Sequence, residues 1–214
     1  MTCVKICGVK TVEHATAALD AGADFLGFIF YRPSHRYVDP AVVRDIVGTC
    51  RERFGGPDTW SAVGVFVDEP LEDVQTICTQ AGLDLVQLCG AEDAAFAAQV
   101  GAPAVRVVHV DGSGQPNAST AAADHGAVRI LLDTKAEGRY GGTGVTYPWT
   151  AVRPFAGEAF LAGGLTSENV AEAIRTARPW AVDVSSGVER DRLKDADLIR
   201  AFISEVRRVD HDHG

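Results

Sequence analysis

From residue 4 to residue 184 the chain repeats one plan: a short β-branched or aromatic run, a turn residue, then an Ala-rich stretch with helical spacing. Val4–Cys7 reads as a strand and Thr11–Ala21 as a helix, with Thr11 as N-cap and Gly22 as the stop. Further strands are predicted at Phe25–Phe30, Ser61–Val67, Leu85–Leu88, Ala104–Val110, Arg129–Asp133, Ala159–Ala162 and Ala181–Val184. Helices are predicted at Pro40–Arg53, Pro70–Ala81, Glu92–Val100, Ser167–Thr176 and Lys194–Arg208, with weaker signals near 118–124 and Trp149. Strands alternating with helices demand a parallel sheet covered by helices, and eight strand signals select closure over an open doubly wound sheet. The predicted fold is α/β, a single (β/α)8 TIM barrel over residues 1–214.

Length and composition fit that expectation. The chain has 214 residues, near the lower end for a barrel that commonly takes about 250, which leaves no room for a second domain. With 46% apolar and 23% charged residues it reads as a globular protein rather than a disordered one. A net charge of -9 argues against nucleic acid as a partner. Five cysteines without a CxxC pair, and an N-terminus without a signal-peptide plan, point to reduced thiols in the cytoplasm. No apolar run approaches the ~20 residues that cross a bilayer. The polar tail Asp210-His211-Asp212-His213 reads as a frayed, solvated end.

In this architecture reacting groups sit at the carboxyl ends of the strands. In Cys3-Val4-Lys5-Ile6-Cys7 the period of two sets Val4 and Ile6 on one face and Cys3, Lys5 and Cys7 on the other. If the apolar pair meets the helices, Lys5 and Cys7 face the barrel. A lysine there needs a partner, and Asp183, between Val182 and Val184, is the candidate. The two are either a plain interior ion pair or the source of a field that lowers the pKa of the Cys7 thiol. Cys7 alone is either a packed thiol or a base. Asp133, closing a Leu/Ile strand, has no packing purpose at its position. One acid and one thiol across a barrel mouth suggest proton transfer at two substrate atoms.

Ala162-Gly163-Gly164-Leu165 and Ser185-Ser186-Gly187-Val188 supply glycines through which backbone N–H groups can approach an anion, each beside an expected helix start. They are a phosphate site or two tight turns. Gly141-Gly142-Thr143-Gly144 is a mobile lid or a further phosphate contact. Arg36, in Arg32-Pro33-Ser34-His35-Arg36, either clamps a carboxylate or is solvated, and His109 is a rim residue or a packed one.

Taken in order, Lys5-Ile6-Cys7-Gly8, Gly27-Phe28-Ile29-Phe30, Arg32 to Val38, Gly64-Val65-Phe66-Val67 and Val86-Gln87-Leu88 resemble the phosphoribosylanthranilate isomerases of tryptophan biosynthesis. So do Leu131-Leu132-Asp133, Gly141 to Gly144, Ala162 to Leu165 and Val182 to Glu189, and the likeness spans essentially the whole chain. The resemblance implies a single barrel that carries out an Amadori rearrangement of a small phosphosugar-anthranilate substrate, with no metal or organic cofactor. It implies Cys7 as general base, Asp133 as general acid, Arg36 on the anthranilate carboxylate with Lys5 and Asp183 nearby at the substrate, and phosphate held around Gly142, Gly164, Ser185, Ser186 and Gly187. A monomer or homodimer is expected. The residue after Val86-Gln87-Leu88 is commonly His in that family and is Cys89 here.

Two other readings compete. A histidine-pathway aminoaldose isomerase resembles a two-carboxylate design, whereas the first strand here ends in Cys7. A non-catalytic phosphate binder, or a thiol sensor built on Cys3 and Cys7, is the alternative outside enzymes, and residues four apart on a strand are too distant to bridge.

Overall fold

The computed structural model describes residues 1–134 and 146–212. Eight parallel strands close into a barrel in sequence order: β1 (Cys3–Cys7), β2 (Phe25–Ile29), β3 (Ser61–Phe66), β4 (Leu85–Leu88), β5 (Ala104–Val110), β6 (Arg129–Thr134), β7 (Phe160–Leu161) and β8 (Ala181–Val184). The seam joins β1 to β8, with Lys5 opposite Asp183. Between them run α1 (Val12–Asp20), α2 (Pro40–Phe54), α3 (Leu71–Ala81), α4 (Ala94–Ala97), α5 (Trp149–Ala156) and α6 (Val170–Ala177), and α7 (Ala196–Asp212) closes the chain.

Local signals explain most of the boundaries. The Thr11 side chain accepts from the His14 amide and starts α1, Asp39 does the same for α2 ahead of Pro40, and Gly82 ends α3 at φ +68°. Between β4 and β6 the chain is less regular than expected. The helix expected over Glu92–Val100 shrinks to the single turn α4, and the weak signal near 118–124 becomes a 3-10 turn at Ala122–His125. Glu92 does not enter the helix because its carboxylate takes the Asp68 and Gly90 amides and an Arg106 guanidinium N–H instead.

Apolar side chains form two bodies. One lies between the barrel and the helices and includes Val4, Ile6, Leu26, Phe28 and Phe202. The other fills the barrel's interior with Phe25, Val63, Leu131, Phe160 and their neighbours, where Phe160 meets Phe25 and Trp180 edge to face at 5.3 and 5.0 Å. This aromatic plug closes the amino-terminal end, so polar side chains can gather only toward the carboxyl ends. The tail departs from expectation: α7 runs through Asp212, and Asp210 accepts from the Thr2 amide and hydroxyl at 2.8 and 2.9 Å.

Candidate active site at the carboxyl end of the barrel

A cavity of about 810 Å³, counting the space at its mouth, opens at the carboxyl ends of the strands. Cys7, Arg36, Asp133, Gly164, Asp183, Ser185 and Ser186 line it, together with Gln87, Cys89 and His109. The outward turn of Val4 and Ile6 into the outer core leaves Lys5 and Cys7 facing inward, as alternation requires. Cys7 has room because its β2 neighbour is Gly27, where a Cβ would lie 2.9 Å from the thiol sulfur.

Lys5 is buried below the cavity wall rather than on it. Its Nζ donates to Gln87 Oε1 at 2.8 Å and Asp183 Oδ1 at 2.9 Å, which makes it a support for Asp183 instead of a substrate contact. Burial works against this ammonium, but the Asp183 carboxylate and the neighbouring thiol outweigh it and hold its pKa above the ordinary lysine range. Of the two readings left open for this pair, the interior ion pair is present, and the lysine's lowering of the Cys7 thiol is outweighed. Burial raises the thiol's pKa more than Lys5 and Lys194 lower it, with Asp183 adding to the rise.

The acid is tuned instead. Burial, with the Asp183 charge, lifts the Asp133 carboxyl to about 7, against a hydrogen bond from the Thr134 amide at 2.8 Å. A carboxyl that keeps its proton near neutrality can donate it. His109 stands beside Asp133 in the β5–β6 register and faces the cavity, so it is a rim residue. Cys89 also faces the cavity; it accepts from Gln87 Nε2 at 3.4 Å, and burial pushes its thiol up to about 12.

Arg36 is buried at the mouth and already forked onto Glu189, with Nε to Oε1 at 2.7 Å and Nη2 to Oε2 at 2.8 Å. Arg32 is exposed and lies over the Tyr37 ring. Of the predicted phosphate positions, Gly164, at φ +65°, Ser185 and Ser186 reach the cavity. Gly187 stands next in the chain behind that wall, its backbone pressed against Leu165 and Thr166, which by itself calls for glycine. Gly142 and the rest of 141–144 lie outside the described residues. The helix starts are also corrected. α6 begins at Val170, because Asn169 ties back to the Gly164 carbonyl and the Thr166 amide, and the turn after β8 is a 3-10 segment, Ser186–Val188.

Residues 4–205 match the family model described as N-(5'-phosphoribosyl)anthranilate (PRA) isomerase. The chain belongs to the N-(5'-phosphoribosyl)anthranilate isomerase family. A relative of that name from Roseiflexus sp. (strain RS-1) is 43% identical over 211 residues, covering 95% of this chain and 97% of the relative. The phosphoribosyl anthranilate isomerase structure from Thermotoga maritima superposes with a TM-score of 0.84 at 36% identity, covering 97% and 100% of the two chains. A third isomerase, solved with reduced 1-(o-carboxyphenylamino)-1-deoxyribulose 5-phosphate, matches at 32% identity with a TM-score of 0.78, covering 97% and 100%. The residues matched by the family model, 4–205, include every residue that lines the cavity, from Cys7 to Ser186.

Sequence reasoning missed Glu189 and Lys194. Glu189 entered only as the end of a motif, and Lys194 as the expected start of the last helix, which instead begins at Ala196. The two stand on a hairpin of β9 (Glu189–Arg190) and β10 (Leu193–Lys194), turned by Asp191 and Arg192 at φ +52° and +66°. An alternating pattern around two residues able to adopt positive φ was the available signal.

Proposed function

We propose that this isomerase converts N-(5-phosphoribosyl)anthranilate to 1-(2-carboxyphenylamino)-1-deoxyribulose 5-phosphate, a step of tryptophan biosynthesis, with Asp133 as general acid and Cys7 as general base. The observation that carries the assignment of roles is a carboxyl held near pKa 7 on β6 and a thiol on β1, lining one cavity. Asp133 gives its proton to the ribose ring oxygen, the C1–O bond breaks, and the nitrogen lone pair forms an iminium at C1. Cys7, as thiolate, removes the C2 proton, and the electron pair moves to leave an enolamine. Loss of the C2 hydroxyl proton and protonation of C1 complete the ketone. The thiolate is scarce in the free site; the iminium's positive charge next to C2 favours its formation once the ring has opened.

Arg36 takes the anthranilate carboxylate, and backbone groups at Gly164, Ser185 and Ser186 take the phosphate, with Gly142 and Gly187 completing the set that the family likeness implies. Asp183 supports the acid and base from the wall. The protein acts on this small molecule as a cytoplasmic monomer or homodimer; five free thiols support a reducing compartment, and among the described residues no helix is long and apolar enough to cross a membrane. Mixing the protein with N-(5-phosphoribosyl)anthranilate and following the decay of its fluorescence tests the reading. Turnover that vanishes in Asp133→Asn supports it, and turnover unchanged in that variant removes the acid assignment.

A further inference from the structure

Glu189 is used by no step of the reaction, yet three bonds from two cations saturate its buried carboxylate. Besides the Arg36 fork, Lys194 Nζ donates to Oε1 at 2.7 Å, and the hairpin register sets the two opposite each other. The side chains of Glu189 and Lys194 are 8% and 2% exposed. Burial would raise the Glu189 carboxyl; the bonds from Arg36 and the Lys194 charge overcome it and hold it down to about 2.

A long arginine in water samples many rotamers, and a ligand that fixes it must remove that freedom. Here the guanidinium plane is fixed in advance. The fork uses the Nε hydrogen and one on Nη2, which leaves both Nη1 hydrogens and the second Nη2 hydrogen for a ligand. The aliphatic stem is held as well, since it lies across Gly8, where a Cβ would sit 2.8 Å from Arg36 Cδ. A carboxylate alone would cancel the arginine's charge. Lys194 restores it, because two cations and one carboxylate leave a single positive charge in excess at the mouth.

We propose that Glu189 is a positioning residue for recognition of the substrate's aromatic carboxylate: it presets the Arg36 fork, while Lys194 neutralises Glu189 so that Arg36 keeps its attraction for an anion. The inference rests on Arg36 being the carboxylate contact. Lys194 also donates to the Ser185 carbonyl at 2.9 Å, and Ser185 Oγ donates to the Cys7 carbonyl at 3.1 Å. The strut therefore reaches the strand that carries the base.

The test compares two inhibitors of the wild-type enzyme and of Glu189→Gln: the reduced product, and 1-anilino-1-deoxyribitol 5-phosphate, which lacks the carboxylate. In Glu189→Gln the KM for substrate and the inhibition constant of the carboxylated compound rise about tenfold or more, with kcat within about threefold of wild type. The inhibition constant of the anilino compound stays within about twofold, because nothing it touches depends on the fork. Glu189→Gln/Lys194→Met, which removes both buried charges, gives the same pattern and guards against a fold weakened by an unpaired lysine. Equal weakening of both inhibitors, an unchanged KM, or loss of fold in both variants overturns the inference by making the trio a structural strut. A wild-type protein that leaves the substrate untouched overturns the functional reading itself, whereas an active wild type with an indifferent Glu189→Gln overturns only the positioning role.

Discussion

Lys5 and Asp183 face each other across the seam where β1 meets β8, their side chains joined at 2.9 Å. The closing joint of the barrel and the support of its active site are thus the same ion pair. Breaking a buried pair from one side leaves an uncompensated charge and costs about 3–5 kcal/mol. Asp183→Asn is expected to lower stability by that order in urea unfolding, with the slope unchanged. Asp183→Asn/Lys5→Met should recover much of the loss, and a double variant no more stable than the single one would show that Gln87 alone satisfies the lysine.

Asp133 should trade stability for chemistry. Its folded pKa of about 7 lies above the ordinary carboxyl value of 3.8, so the folded state holds the proton more tightly, and this group's contribution to stability falls as pH rises from about 4 to about 7. Asp133→Asn removes that penalty. Above pH 7 the variant is expected to melt at least about 2 °C higher than wild type, while turnover drops by about a hundredfold or more. A melting temperature equal to or below wild type at pH 8 contradicts the raised carboxyl.

The same group sets the pH profile. Donation by Asp133 weakens as pH rises through about 7, while the Cys7 thiolate becomes scarcer as pH falls. A bell-shaped kcat/KM is expected, its two apparent constants belonging to the pair rather than to either residue. In Cys7→Ser turnover should collapse, whereas Cys89→Ser should remain within about threefold of wild type; equal, mild effects would mean the Cys7 thiol is packing.

Gly27 offers a test that leaves every reacting group in place. Gly27→Ala sets a methyl 2.9 Å from the Cys7 sulfur and 3.0 Å from its Cα, so the thiol must move, and kcat is expected to fall about tenfold or more. Gly48→Ala, in the interior of α2 with open space around its Cβ, should instead stabilise by about 0.5–1 kcal/mol with kcat unchanged.

The barrel was legible in the chain because strand and helix periods differ so clearly; β4, β5 and β8 fall at their expected limits, as Leu85–Leu88, Ala104–Val110 and Ala181–Val184. So was the inward face of β1, since Val4 and Ile6 leave Lys5 and Cys7 no other side. The pairing of Lys5 with Asp183 was legible too, because a buried lysine demands a partner and Asp183 was the inward carboxylate on offer. Periodicity did not carry the share Gln87 takes of that lysine, or the burial that outweighs the lysine at the Cys7 thiol. Nor does it show that the close approach of the Leu165 backbone is by itself a reason for glycine at 187. Glu189 and Lys194 stayed hidden because what they do depends on a bond to Arg36, far off in the chain, that local pattern does not show.

The Thr2–Asp210 clasp bears on how the protein is made. β1 leaves the ribosome first but pairs on one side with β8, and the helix that fastens it ends at Asp212. Throughout synthesis, then, the first strand offers an open edge, and its lysine lacks its carboxylate until the last part of the chain emerges. A nascent chain in that state is an unpaired sheet edge of the kind that invites association with other chains. The β1–β8 seam and the Thr2–Asp210 clasp therefore carry a task in biogenesis, bringing the time of edge exposure to a close, that has no counterpart in the finished enzyme.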